Sequence, residues 1–309
     1  MGVISLAKKI IRYWCDSDYR FIVKANLTHQ FDGMPDDEFL IRKYKACLGE
    51  ELNLEQPEGF NEKLQWLKLF DQRDIYTGCA DKHAVKEYVA SMIGAEYLIP
   101  TLGVWDSPDD IDFPGLPDRF VLKCNHNSGL GMYICRNKDE MNIHNVKHGL
   151  RKGLKQDYYL TGREWPYKNI PRKIIAEQYM EDASGGLIDY KVHCFNGEPR
   201  FILVCSDRFS GNGLREDFLT VDWQRLPVKR PNIRISEALM EKPAELEDVL
   251  ELSKKLAKGF PFVRVDFYII NHKVYFSEMT FFPASGFVAF EPDEWDTTFG
   301  SWLTLPEKA

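Results

Sequence analysis

The stretch that decides the fold is Phe262-Val263-Arg264-Val265-Asp266-Phe267-Tyr268-Ile269-Ile270, followed after Asn271-His272-Lys273 by Val274-Tyr275-Phe276-Ser277-Glu278-Met279-Thr280. Residues alternate in character on both sides of a short polar turn, which is typical of a β-hairpin. With a three-residue loop, Asp266 and Glu278 would be directly opposed on one face. Because two opposed carboxylates repel, the pair predicts a cation between them. Mg²⁺ bound to phosphates prefers such oxygen ligands, so the hairpin points to a nucleotide enzyme.

Composition limits the classes of protein that fit this chain. It has 309 residues, 44% of them hydrophobic, and a formal net charge of −7, which argues against a general nucleic-acid binder. The seven cysteines are scattered without a C-x-x-C pair, so neither a zinc site nor a disulfide framework is expected. Reduced thiols, the lack of a secretory signal and the lack of a long apolar run predict a cytoplasmic protein.

The first residues form a helical pattern that allows two interpretations. Apolar residues recur at helical spacing between Val3 and Trp14, while Lys8, Lys9 and Arg12 lie on other faces. The helix could lie on an anionic membrane surface, which would place the protein at the inner face of the membrane. The commoner arrangement, an amphipathic helix docked on the protein's own core, is the one we favour from sequence.

Secondary-structure patterns change along the chain from helical to mixed. Apolar stripes predict mainly helices up to about Leu98, with Asp81 as a candidate N-cap. A proline-punctuated connector follows, and then strands alternate with helices at 139–158 and 237–259. An Asn196-Gly197 pair predicts a tight hairpin turn. The overall pattern is that of an α+β protein.

Two further segments have features of a nucleotide site. Lys123 ends a predicted strand, and the following residues 125–131 are Asn, His, Asn, Ser, Gly, Leu and Gly, which would let backbone N–H groups approach a phosphate. The loop is neither a Walker A sequence nor a G-x-G-x-x-G motif, and a solvated hairpin loop is the alternative. Glu177-Gln178-Tyr179-Met180 could offer main-chain groups and apolar walls to a purine.

In their order along the chain, these phrases resemble the ATP-grasp superfamily. They are Asp81-Lys82, Lys123 with its Ser/Gly loop, Ile174-Ile175-Ala176-Glu177-Gln178-Tyr179-Met180, Arg264-Val265-Asp266 and Glu278-Met279-Thr280. Three more phrases look like the TupA-like branch, which is found in bacterial surface-polysaccharide biosynthesis. They are Phe60-Asn61-Glu62-Lys63-Leu64-Gln65-Trp66-Leu67-Lys68, Arg163-Glu164-Trp165-Pro166-Tyr167-Lys168-Asn169 and Thr280-Phe281-Phe282-Pro283-Ala284-Ser285-Gly286-Phe287. The resemblance runs from about Arg42 to Leu303.

The resemblance implies an ATP-grasp fold in which two lobes with antiparallel sheets clamp ATP. It implies a helical N-terminal region at 1–80, a connector at 81–115, a small lobe with the phosphate loop at 116–178 and a large lobe with the metal site at 179–309. The implied cofactors are ATP and Mg²⁺.

The resemblance also assigns roles to matching positions. The residues implied to bind the nucleotide are Lys82, Lys123, Asn127, Ser128, Gly129, Glu177, Gln178, Tyr179, Met180, Asp189 and Lys191, with Glu181 as an alternative to Asp189 near the ribose. The implied metal ligands are Asp266, Glu278 and Thr280, and the residues implied to be catalytic are Arg264, Arg208 and Lys123. Thr280 stands where the superfamily usually has Asn, which leaves one or two metal ions open. The glycine-poor loop suggests that the side chains of Asn125 and Asn127 help to hold the phosphates.

The function implied is an ATP-dependent carboxylate–amine ligase that modifies a sugar or uronic acid through an acyl phosphate. Its partners would be a small-molecule carboxylate and an amine, with no nucleic acid. Arg163, Trp165 and Tyr167 suit a sugar or carboxylate pocket, although ordinary packing explains both aromatic residues equally well. A sugar kinase on the same fold, a glycosyltransferase and a non-catalytic binding protein are the alternatives.

Overall fold

A computed structural model of the chain describes residues 3–182, 187–207 and 213–308. Helices dominate its first third, and each later helix packs against a sheet or against other helices. The helices are α1 (Val3–Cys15), α2 (Ser17–Leu27), α3 (Asp36–Leu48), α4 (Phe60–Phe70), α5 (Ile75–Ala80), α6 (Val85–Ile93), α7 (Ile143–Lys155), α8 (Tyr159–Gly162), α9 (Leu246–Ala257) and α10 (Glu294–Ser301).

The strands form two separate antiparallel sheets. They are β1 (Thr101–Trp105), β2 (Phe120–Cys124), β3 (Tyr133–Cys135), β4 (Ile174–Gln178), β5 (Asp189–Phe195), β6 (Glu198–Ser206), β7 (Arg215–Thr220), β8 (Phe262–Ile270) and β9 (Lys273–Thr280). The small sheet has the order β1-β4-β2-β3, and the large sheet has the order β7-β6-β5-β8-β9. Helices and two antiparallel sheets confirm the α+β class.

Local sequence explains where the large sheet turns. The predicted Asn196-Gly197 pair joins β5 to β6 with φ angles of 50° and 84°, a left-handed backbone that Asn and Gly adopt most easily. Leu98, just before β1, forms a parallel bridge with Phe276 of β9. This bridge links the chain entering the small sheet to the edge of the large one.

Two strands and part of one helix differ from the sequence expectation. β1 lies inside the segment expected to be a connector, and it pairs with β4 at the edge of the small sheet. Its residues show no alternation of buried and exposed positions, because a bulge between Thr101 and Gly103 interrupts the register with β4 and Leu102 is exposed. β7 was also not predicted. The helix expected at 237–259 begins only at Leu246, since Pro243 cannot donate a backbone hydrogen bond.

The largest core lies between the large sheet and the helices that cover it. Phe299 of α10 is fully buried and stacks on Phe201 of β6 with ring centroids 4.5 Å apart. Phe60 of α4 packs edge-to-face against Phe299, with ring centroids 6.3 Å apart. One smaller core lies between the small sheet, α7 and the turn at 108–116, the part of the chain that we call the small lobe, and another lies between α2, α3 and Phe287.

The second half of α1 is exposed, so the docked interpretation that we favoured is wrong for these turns. Ile10, Ile11 and Trp14 have 52%, 63% and 72% of their surface exposed. Within residues 3–182, 187–207 and 213–308, no helix is long and apolar enough to cross a bilayer.

We expect Phe299→Ala to lower the free energy of unfolding by about 3–5 kcal/mol, because it opens a cavity among closely packed aromatic rings. Urea unfolding followed by circular dichroism measures this loss. Ile143→Ala, at a residue 44% exposed on α7, is the matched control and should change stability by no more than about 0.5 kcal/mol. Equal losses in the two variants would contradict this description of the core.

Candidate active site

The hairpin β8–β9 brings Asp266 opposite Glu278, as the sequence predicted. The expected three-residue loop is wrong: Ile270 pairs with Lys273, and the turn consists of Asn271 and His272 with φ angles of 50° and 61°. A β-bulge between Asp266 and Phe267 in the register supplies the extra residue on β9. A two-residue turn together with a bulge therefore places the two carboxylates opposite each other, instead of the expected three-residue turn.

Arg264 lies among the groups that the sequence assigned to a metal. Its Nε donates to Asp266 Oδ1 at 2.7 Å, and its Nη2 donates to Asp266 Oδ2 at 2.7 Å. The same Nη2 is 3.2 Å from Glu278 Oε1 and 3.0 Å from Thr280 Oγ1. Lys191 of β5 donates to Asp266 Oδ2 at 2.5 Å. Two cations thus neutralise Asp266, which has no exposed surface.

Glu278 is the more accessible carboxylate, with 37% of its side chain exposed. Burial alone would raise its pKa, but the charges of Lys82, Lys191, Arg264 and Lys123 lower the pKa to about 2. Lys82 and Lys123 come from outside the large sheet. Glu278 is therefore the point at which charges from both lobes meet.

Lys82 lies between α5 and α6 and contacts the loop that follows β2. Its Nζ donates to the carbonyl of Asn127 at 2.7 Å. Ser128 and Gly129 form the exposed part of that loop, and Gly129 has a φ of +81°, which glycine adopts without strain. Lys82 therefore brings a positive charge to the loop that follows β2.

The side-chain role expected for Asn125 and Asn127 disagrees with the structure. Asn125 is fully buried and donates to Asp81 Oδ1 and to the carbonyl of Pro171, both at 2.9 Å. Asn127 is also buried and donates to the carbonyl of Gly153 at 3.2 Å. Both amides stabilise the small lobe, so only backbone groups and the exposed tip of this loop face the cleft side.

Lys123 is held by Glu177 on the adjacent strand β4. Its Nζ is 2.6 Å from Glu177 Oε2, and Lys86 contacts the other oxygen at 2.8 Å. Burial would raise the pKa of Glu177, but Lys123 and Lys86 lower it overall. The side chain of Glu177 thus anchors Lys123, and Glu177 also lines a cavity at the end of β4.

A cavity of about 190 Å³ lies between the two sheets, next to the end of β4. Its lining includes Gln178, Tyr179 and Met180, which the sequence assigned to the adenine, together with Lys123 and Ser277. An open groove of about 590 Å³ elsewhere shares no lining residue with it. Narrow apolar walls next to a lysine suit a planar base attached to an anion.

The remaining predicted positions lie around this cavity or outside the described residues. Asp189 Oδ1 of β5 is 3.6 Å from Lys191 Nζ, so Asp189 shares this lysine with Asp266. Glu181 forms an ion pair with Arg119, whose guanidinium stacks over Tyr179 at 4.1 Å. Arg208 lies outside the residues that the structure describes.

Arg163 and Trp165 do not form the sugar pocket considered for them. Arg163 is buried and donates to the carbonyl of Phe31 at 2.7 Å, which ties α8 to the N-terminal helices. Trp165 packs edge-to-face on Tyr76 at 5.8 Å. Tyr167 is only partly buried and pairs edge-to-face with Tyr158 at 4.8 Å. Ordinary packing therefore explains Trp165, while Tyr167 stays available.

Lys68 of the first TupA-like phrase contacts the third phrase and the residue directly before the second, and it is almost completely buried. Its Nζ donates to the carbonyls of Gly162 and Ser285, both at 2.8 Å, and to Gln65 Oε1 at 2.9 Å. Burial lowers the pKa of Lys68 to about 7, although the nearby Glu164 carboxylate acts in the opposite direction. This lysine holds the loop that follows β9, where Ser285 has a φ of 56°.

Sequence reasoning missed Lys86 and Lys68. A signal existed for Lys86, since it lies four residues after Lys82 and so on the same side of a helical segment. Lys68 belongs to one of the phrases noticed, but its role depends on contacts with residues 94 and 217 positions away in sequence. No local pattern carries that information.

The chemistry of the donor groups fits a divalent cation. Asp266, Glu278 and Thr280 offer two carboxylates and a hydroxyl, which are hard oxygen ligands of the kind that Mg²⁺ prefers. No group of three or more His, Cys, Asp or Glu side chains suited to a metal occurs in the described parts of the chain. A metal here would therefore need further ligands, as Mg²⁺ tied to phosphates does.

Comparison with known families decides what the fold is. The family described as TupA-like ATPgrasp matches residues 62–304. The chain belongs to the TupA-like ATP-grasp family. This confirms the resemblance to ATP-grasp proteins and the expected fold. No curated protein matches the chain.

Solved structures that resemble this TupA-like ATP-grasp protein include several ligases. A D-alanine–D-alanine ligase from Bacillus anthracis complexed with ATP is 18% identical, with 66% of this chain and 55% of that chain covered and a TM-score of 0.40. A D-alanine–D-alanine ligase from Helicobacter pylori is 14% identical, with coverages of 79% and 69% and a TM-score of 0.42. The ATP-grasp ligase PsnB complexed with a minimal precursor is 10% identical, with coverages of 67% and 54% and a TM-score of 0.38. The chain thus spans little more than half the length of the first and third of these proteins.

Proposed function

We propose that this TupA-like ATP-grasp protein is an ATP- and Mg²⁺-dependent carboxylate–amine ligase. The observation that carries the proposal is the meeting of charges at Glu278. Lys82 and Lys123 from the small-lobe side and Lys191 and Arg264 from the large sheet all act on this one carboxylate. Such an arrangement suits a polyphosphate, whose negative charge requires fixed cations and a metal ion.

The nucleotide would lie along the cleft from the 190 Å³ cavity to the two lysines. The base would contact Gln178, Tyr179 and Met180, with Asp189 or Glu181 towards the ribose. The phosphates would lie near Lys82, Lys123 and the loop containing Asn127, Ser128 and Gly129. Glu177 would contribute by holding Lys123 in place through its 2.6 Å ion pair.

The metal would be held by Asp266, Glu278 and Thr280. When bound, Mg²⁺ neutralises the phosphates and the charge that develops during phosphoryl transfer. Arg264 and Lys191 would add fixed positive charge next to the acceptor. Lys191 of β5, Arg264 and Asp266 of β8, and Glu278 and Thr280 of β9 lie on three neighbouring strands of one sheet, which positions their charges before the reaction begins.

The reaction would proceed in two steps. An oxygen of the acceptor carboxylate attacks the γ-phosphorus of ATP, and the bond from this phosphorus to the bridging oxygen breaks. The products of this step are an acyl phosphate and ADP. An amine then attacks the acyl carbon, loses a proton, and releases phosphate as the amide forms. Because water would destroy the acyl phosphate, a cleft between two lobes and the loop at Ser128 suit this chemistry.

The acceptor would be a sugar or uronic acid, or an amino acid joined to a sugar amine, in bacterial surface-polysaccharide biosynthesis. The TupA-like phrases support this assignment. The half-buried pair of Tyr158 and Tyr167 offers an aromatic surface, and Arg264 offers a guanidinium for an anionic group.

We also propose that the protein works at the cytoplasmic face of the membrane, held there by α1. This helix has three basic residues, Lys8, Lys9 and Arg12, and no acidic one, although the whole chain has a net charge of −7. Its exposed Ile10, Ile11 and Trp14 supply the apolar side chains that insert at an anionic lipid surface. Such contact would bring the enzyme to a lipid-linked acceptor.

We expect the purified protein to form ADP and phosphate from ATP only when a carboxylate, an amine and Mg²⁺ are all present. Asp266→Asn should lower the rate about 100-fold or more, because it removes a preorganised charge from the site. A screen of uronic acids and amino acids for ADP and phosphate release, with mass spectrometry of the product, measures this.

Asp109→Asn is the matched control, since Asp109 pairs with Arg151 on the exposed surface of the small lobe and should not affect turnover. ADP formation without free phosphate or need for an amine would identify a kinase instead. Turnover by Asp266→Asn at the wild-type rate would contradict the proposed metal site.

For membrane contact, we expect co-sedimentation with vesicles containing phosphatidylglycerol but not with vesicles of phosphatidylcholine alone. Ile11→Ser and Trp14→Ala should each weaken binding about tenfold, the effect of losing one large apolar contact. Ile235→Ser changes a residue of similar exposure, 45%, far along the chain and is the control. Equal binding by all variants, or by both vesicle types, would rule out α1 as the anchor.

A further inference from the structure

The position of Arg264 bears on how a metal can enter this site. Its Nη2 contacts all three oxygen groups that would hold the metal: Asp266 Oδ2 at 2.7 Å, Glu278 Oε1 at 3.2 Å and Thr280 Oγ1 at 3.0 Å. Its Nε contacts the other oxygen of Asp266 at 2.7 Å. One guanidinium therefore occupies the place where these oxygen groups converge.

Asp266 is the residue that limits access. It has no exposed surface, both of its oxygens accept from Arg264, and Oδ2 also accepts from Lys191 at 2.5 Å. A metal ion can bind Asp266 only if it takes the place of at least one of these contacts. Water cannot solvate Asp266 in place of the lost contact, because this carboxylate is buried.

The charges around the site oppose a free divalent ion. Lys82 and Lys123 lie in electrostatic range of Glu278, in addition to Arg264 and Lys191. A cation entering alone would meet these four positive side chains, and two further carboxylates nearby, Glu177 and Asp189, are already paired with Lys123 and Lys191. A polyphosphate entering with it would supply the missing negative charge and attract the same four side chains.

We propose that Arg264 acts as a built-in counter-ion that keeps free divalent metal out of the site, so that metal binds only together with a nucleoside triphosphate. This inference deepens the proposed function, because it rests on the same metal and nucleotide positions. It assigns Arg264 a role in the order of binding, separate from any contact with the acceptor. By thermodynamic linkage, the nucleotide must raise metal affinity by the same factor as metal raises nucleotide affinity.

Titration of the full-length protein with Mn²⁺, followed by the loss of the free-ion electron paramagnetic resonance signal, tests this. Wild-type protein should bind Mn²⁺ about tenfold or more weakly without nucleotide than with a non-hydrolysable ATP analogue. Arg264→Met should bind Mn²⁺ about tenfold or more tightly than wild type without nucleotide, because the guanidinium no longer occupies the oxygens.

Arg151→Met is the matched control, since Arg151 makes a similar two-oxygen contact with Asp109, both at 2.7 Å, on the small-lobe surface. It should leave Mn²⁺ binding unchanged. Thermal unfolding shows whether Arg264→Met is folded, and if it is not, Arg264→Gln, which is also uncharged but keeps a polar side chain, takes its place. Wild-type binding of Mn²⁺ that is equally tight without nucleotide would overturn the proposal, as would a folded Arg264→Met that binds no more tightly than wild type.

This test is separate from the test of the proposed function. Equilibrium dialysis with labelled ATP reports nucleotide binding directly, and its failure would count against the ligase proposal. The comparison of wild type with Arg264→Met in the absence of nucleotide would still judge the role of Arg264.

Discussion

Two acidic side chains placed opposite each other in a hairpin impose the constraint on which the rest of the cleft depends. Asp266 is completely buried and Glu278 partly so, and a buried carboxylate without a partner is costly. Arg264 and Lys191 meet this requirement for Asp266 at distances of 2.5–2.7 Å. Glu278 retains exposed surface and attracts cations from the other lobe, which makes it the residue best placed to respond to a ligand.

The helical parts of the chain support this arrangement from outside the cleft. Lys68 fixes the loop after β9 by bonding to Ser285 and Gly162, and Arg163 fixes α8 against the N-terminal helices. Burying a cation is costly unless acceptors surround it, so the contacts of Lys68 and Arg163 hold these segments in specific relative positions. Lys68 and Arg163, which belong to phrases typical of the family, therefore have a structural role next to the site, whereas Thr280 and Tyr167 of the same phrases are proposed to face ligands.

The sequence was sufficient for features determined by local pattern. Alternation predicted the hairpin β8–β9 and its opposed carboxylates, and Asn196-Gly197 predicted a turn. Loop length was wrong, because the β-bulge adds one residue to β9, and the alternation of buried residues breaks there at Ser277 and Glu278. The short strand β1 was missed for a related reason, since a bulge between Thr101 and Gly103 interrupts its register.

Side-chain direction was the information that the sequence lacked. Asn125, Asn127 and Arg163 are residue types that commonly bind ligands, yet tertiary contacts turn all three into the protein interior. The contact of Arg264 with Asp266 likewise depends on a side-chain conformation, although both residues were noticed in the sequence. The family match covers 62–304 and establishes the fold, while the roles of single residues depend on such contacts.

The most direct test of the account is a crystal structure with Mn²⁺ and a non-hydrolysable ATP analogue, with the metal located by anomalous scattering. We predict one or two manganese peaks at the carboxylates of Asp266 and Glu278, the base beside Tyr179 and Met180, and the phosphates beside Lys82 and Lys123. Manganese bound away from both carboxylates, or a nucleotide bound outside this cleft, would contradict it.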